Sequence, residues 1–109
     1  MVKKEVLVLT TDKVPGREVK EILGIVKGNT VRARNIGRDI GAGFKNMVGG
    51  EIKTYTDMTT QSREESFNRM VNQAIELGAD AIIGFRFTTS MIMQGASEML
   101  AFGTAVKLK

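Results

Sequence analysis

The sequence predicts an α+β domain, an antiparallel sheet with helices packed on one face. Three observations carry this reading. Phe67, Met70, Val71, Ala74, Ile75 and Leu77 form an apolar stripe at helical spacing that stops at Gly78. The run 81–88 is apolar on both faces near its start, with Ile82 and Ile83 pointing opposite ways, so it reads as a strand covered on both sides. The run 97–108 returns as a further strand, with Leu100, Phe102, Val106 and Leu108 on one face, interrupted by Thr104.

The elements follow in chain order. Glu5 to Thr10 is a short run rich in β-branched residues and reads as a strand, followed by the turn dipeptide Pro15-Gly16. The stretches 17–27 and 30–35 read as strands joined by a tight turn at Gly28-Asn29. Ile36, Ile40, Phe44, Met47 and Val48 fall at helical spacing, and Gly49-Gly50 would end that helix. Gly37 and Gly41, one turn apart, would let another backbone come close.

Ser62-Arg63-Glu64-Glu65 fits a capping box at the start of the main helix, and Glu65 and Arg69 make an i,i+4 pair in the favourable order. Gly78 is the expected residue just past its C-terminus. Met91-Ile92-Met93 continues the next strand and Gln94-Gly95 turns the chain back. One or two helices cannot cover strands that are apolar on both faces in so small a chain. Open edges and apolar patches are commonly closed by self-association, so a homo-oligomer is expected.

The 109 residues make a single domain, 1–109, long enough to bury a core without staples. Apolar residues are 42% and charged residues 26%, which excludes a disordered chain. Cysteine and histidine are absent. Their absence excludes disulfide scaffolds, thiol catalysis, zinc fingers, iron–sulfur clusters and imidazole acid–base chemistry. The N-terminal apolar run is too short for a signal peptide, and no run approaches the ~18 apolar residues of a membrane span. The expected location is the cytoplasm, with no membrane partner.

The net charge is +4, and it is concentrated. Residues 27–53 hold Lys27, Arg32, Arg34, Arg38, Lys45 and Lys53 against Asp39 and Glu51, while the remaining ten basic and ten acidic residues cancel. A solvated face is the simplest use of such a run. The alternative is a small anionic ligand held by Arg34, Arg38 and Lys45 near backbone N–H groups around Gly37, with sites at subunit boundaries. Nucleic acid is not the expected partner, because the basic segment carries only Phe44 for stacking.

No P-loop is present, and the pattern begun by Gly41-Ala42-Gly43 fails as a dinucleotide fingerprint because Asn46 stands at the third glycine. Met91, Met93 and Met99 cluster, and alternation would put Met91 and Met93 on one side of a strand. Thioethers can hold Cu(I), but packing is the commoner use, and no metal ligand set is assigned. No pair of carboxylates stands out as acid and base. No catalytic residue and no cofactor are assigned.

Several segments, in order, resemble the YbjQ-like family: Arg34-Asn35-Ile36-Gly37-Arg38-Asp39, Asn46-Met47-Val48-Gly49-Gly50-Glu51, Arg69-Met70, Leu77 to Gly84, and Phe102-Gly103-Thr104-Ala105-Val106. The likeness covers nearly the whole chain. It implies a compact α+β subunit, broadly similar to the dodecin subunit, assembling into ring-like homopentamers or multiples of them, and it implies no enzymatic activity. It also implies that the long helix starts near Tyr55, before the capping box. Members carry a heavy-metal-binding label, for which this chain could offer only carboxylates, carbonyls and thioethers. Asp80 stands where the family pattern has Asn, and Phe102 where it has Tyr.

Overall fold

The computed structural model describes residues 5–33, 47–48 and 51–109. They form β1 (Leu7–Val8), β2 (Val19–Ala33), β3 (Met47–Val48), β4 (Glu51–Ile52), α1 (Lys53–Glu76), β5 (Ala81–Met93) and β6 (Ala96–Leu108). Four strands make one sheet in the order β1-β5-β6-β2, and β3 and β4 pair separately. The architecture is α+β, as expected, with one helix on the sheet among the described residues.

Two details of the sheet differ from expectation. The sheet is mixed, because β1 lies parallel to β5 while β5, β6 and β2 are antiparallel neighbours. A parallel pair needs a long crossover, and the chain between β1 and β5 contains all of β2 and α1. The second difference is at Gly28-Asn29, where β2 runs straight through without turning. Gly28 lies under α1, and a Cβ there would overlap Ser66 O and Met70 N and come within 2.7 Å of Arg69 Cβ. The glycine therefore admits a helix backbone rather than a reversal of the chain.

The main helix begins at Lys53, in line with the early start the resemblance implies. Ser62 is consequently not a cap but a buried mid-helix residue, whose Oγ accepts from Arg32 Nε at 3.3 Å. Its far end is as expected. Gly78 takes φ +77, its N–H donates to Ile75 O, and the Ala79 N–H donates to Ala74 O, both at 3.0 Å. That is a Schellman motif, which only a residue tolerant of the left-handed region closes cheaply. Met47–Val48 is strand rather than the end of a helix, pairing with Glu51–Ile52. The rest of the expected 36–50 helix lies outside the described residues.

The core has two sides. Val26, Met70, Ala74, Ala79, Ile82, Ala101 and Ala105 are buried between α1 and the sheet. The sheet side of this layer is mostly small, so the helix sits close. On the opposite face Val14 and Leu9 pack over Ala81, Ile83, Val106 and Leu108. The expected two-sided burial of Ile82 and Ile83 is thus met by α1 on one side and the 9–14 segment on the other. The register also places Leu100, Phe102, Thr104, Val106 and Leu108 on this second face.

Candidate functional site

Two surfaces adjoin the sheet beyond this core. One is a polar seam along the outer edge of β2. Gln73 Oε1 accepts from the Lys27 N–H at 2.8 Å, and Arg69 Nη1 donates to Asn29 O at 2.6 Å. These helix side chains satisfy edge-strand backbone groups that would otherwise invite another strand. Further along, Thr30 Oγ1 donates to Ser62 O, and Asn29 Nδ2 reaches Glu98 Oε2 at 3.2 Å. Arg32 Nη2 approaches Glu65 Oε1 at 2.6 Å, a charge contact outside the angular range of a directed hydrogen bond. The anticipated Glu65–Arg69 pair is present at 4.0 Å, looser than the Arg32 contact.

The seam's polar side chains are paired with strand and helix groups of the same chain, mostly at the surface. Arg32 and its neighbours therefore act as a clamp, not as an open anion cradle. The predicted ligand residues Arg34, Arg38 and Lys45 lie outside the described residues, so the structure neither gathers nor separates them. Sequence reasoning missed the roles of Arg69 and Gln73. Their i,i+4 spacing on one helix flank was legible, but not that this flank overhangs a strand edge.

The second surface is apolar and lies on the outer half of the β5–β6 hairpin. α1 lies across β2 and β6 and barely reaches β5. Beyond the base of the hairpin, Phe87 is 40% exposed, Met91 78%, Ile92 53% and Met93 64%. A short aromatic chain leads out to it, with Phe67 on α1 edge-on to Phe85 at 5.5 Å and Phe85 edge-on to Phe87 at 4.9 Å. Val31 and Ile25 are exposed on the face of β2 away from the helix.

Of the three clustered methionines, Met91 and Met99 share a face of the hairpin, while Met93 is split from them. A bulge between Met91 and Met93 moves the pairing from Ser97 to Ala96, which puts the two thioethers on opposite faces. Strict alternation had placed them together. Among the described residues no group of three or more carboxylates could hold a metal ion. With cysteine and histidine absent from the sequence, the donor set does not fit a soft heavy metal.

Fold and surface together define a small sheet-and-helix domain with an internally paired polar clamp and an uncovered apolar hairpin. The chain belongs to the YbjQ family, whose profile, described as "Putative heavy-metal-binding", matches residues 6–109. It is 58% identical to a UPF0145 protein of Archaeoglobus fulgidus over 97% of this chain and 98% of that one. A UPF0145 protein of Thermotoga maritima is 56% identical, covering 94% and 97% of the two chains. The fold is similar to a crystal structure of a protein of unknown function in the DUF74 family from Pediococcus pentosaceus, with a TM-score of 0.66 at 16% identity. That match covers 95% of this chain and 98% of the other, and it speaks to fold alone.

Proposed function

We propose that this protein is a cytoplasmic, non-catalytic subunit of a homo-oligomer, a ring of five copies or a multiple of five. The observation that carries the reading is the apolar outer half of the β5–β6 hairpin. Phe87, Met91, Ile92 and Met93 are exposed on one continuous stretch, and exposed apolar patches of this kind mark interaction surfaces. The Cα radius of gyration supports it, at 17.2 Å against about 13 Å for a compact domain of this length. The hairpin extends from the packed body in a way that suits insertion between neighbours. The number five comes from the family resemblance.

No helix among the described residues is long and apolar enough to cross a membrane, which is compatible with this location. Native mass spectrometry of untagged protein tests the proposal. The expected result is a mass that is five, or a multiple of five, times the 11.9 kDa subunit. A subunit-sized species at micromolar concentration would overturn it.

A further inference from the structure

The main helix is attached to the sheet in two different ways along its length. From Phe67 to Leu77 it carries the apolar stripe. Met70 and Ala74 are fully buried there, and Phe67 and Val71 pack against the same core. Arg69 and Gln73 add bonds to the β2 backbone, and the Schellman motif at Gly78 closes the end. This half is anchored by apolar burial, the source of most helix stability in proteins.

From Lys53 to Glu65 the helix runs on without a stripe. The ridge facing β2 passes from Ala74 and Met70 to Ser66 and Ser62, all four buried. Thr30, buried on β2, is a hydroxyl as well. Among the described residues, the polar contacts that tie this half to the sheet all come from Thr30 and Arg32. Thr30 Oγ1 donates to Ser62 O and Arg32 Nε to Ser62 Oγ, both at 3.3 Å, and Arg32 Nη2 meets Glu65 Oε1. Hydrogen bonds of that length and an ion pair about a third exposed hold weakly.

Composition points the same way. Thr54, Thr56, Thr59 and Thr60 fall within about two turns, and β-branched residues form helix poorly. Two hydroxyls bond back onto their own helix, Thr59 Oγ1 to Thr56 O and Ser66 Oγ to Arg63 O, a local use that competes with helical bonding. Gly28 marks the boundary. Its missing Cβ leaves room for Ser66 O and Met70 N, so the two kinds of attachment meet where helix and strand come closest.

We propose that residues 53–65 form a latch, a cooperative segment that lifts off β2 as a unit while 67–77 stays docked. Because α1 begins at Lys53 directly after β4, and the β3–β4 pair is separate from the main sheet, the latch carries that pair with it. Opening uncovers Thr30 and parts Arg32 from Glu65. The closed clamp then becomes an accessible guanidinium within the basic run 27–53. The latch belongs to the single chain and does not rest on the homo-oligomeric reading.

Hydrogen exchange of backbone amides in the untagged native protein tests this. Amides 57–65 should share one level of protection, about a hundredfold below that of 70–75, with the step at Ser66 and Phe67. Glu65→Gln should lower protection of 57–65 about threefold and leave 70–75 unchanged. Thr59→Ala with Thr60→Ala, at two exposed positions, should raise it about fivefold by favouring the helix. Uniform protection along α1 would show a single docked unit and overturn the latch. So would a smooth gradient rising from Lys53, which is end fraying. Protection of 57–65 that either variant leaves unchanged, or an equal change in 70–75, would overturn it too.

Discussion

The base and the outer half of the β5–β6 hairpin are built from similar residues yet sit in opposite surroundings. At the base Ala81 and Ile82 are fully buried, roofed by α1 on one face and by Leu9 and Val14 on the other. Ten residues further on, Ile92 is more than half exposed. The strand is not more polar there. What changes is cover: α1 is centred over β2 and β6, and the N-terminal segment reaches only to Phe85. Apolar composition therefore marks where burial is wanted, while the packing of other elements decides where the single chain provides it.

The largest expected effect breaks the comparison at its base. Ile82→Ala leaves a cavity beneath α1 and should cost about 4 kcal/mol in urea unfolding, whereas Ile92→Ala should cost under about 0.5 kcal/mol at dilute concentration. Equal losses at the two sites would mean that the outer half is packed within the subunit after all.

Next comes the close contact that holds the helix off β5. Gly28→Ala places a Cβ against the Ser66 carbonyl and Met70 amide, and should destabilise by about 2 kcal/mol. A neutral or stabilised variant would show that α1 shifts freely across the sheet.

A smaller effect tests the closed edge of β2. Arg69→Ala combined with Gln73→Ala uncovers the Lys27 and Asn29 backbone groups and should cost about 1 kcal/mol for each lost bond. The uncapped edge should also raise aggregation, read by light scattering over time. No change in scattering would indicate that the charged side chains of β2 protect the edge unaided.

The smallest effect on the fold sharpens the contrast most. Met91→Ser with Met93→Ser should alter unfolding of dilute protein by less than about 0.5 kcal/mol. It should nonetheless abolish the dependence of Tm on protein concentration that an associating wild type shows. A concentration-dependent Tm in the double variant would move the interface elsewhere.

Much of the fold was legible because local signals agreed with one another. The stripe from Phe67, the stop at Gly78 and the Gln94-Gly95 reversal each rest on a few neighbouring residues. The misread positions are those where a distant element decides. Gly28-Asn29 has the composition of a turn, and only α1 lying over it makes the glycine a contact point. Ser62 has the spacing of a cap, and only Arg32 from β2 gives its hydroxyl a different task. Of the anion site read from the sequence, Arg34, Arg38 and Lys45 lie outside the described residues, and their neighbour Arg32 is engaged with Glu65 and Ser62.

By itself the sequence determined the α+β class, the hairpin, the end of the main helix, the family and the absence of thiol and imidazole chemistry. Those follow from residue types and short-range periodicity, which need no knowledge of neighbours in space. Tertiary structure alone decided that β1 enters parallel, that one edge of the sheet is closed by helix side chains and that the outer half of the β5–β6 hairpin is left exposed. These depend on where a 24-residue helix comes to rest on the sheet, and that is set by the sum of long-range contacts rather than by any local pattern.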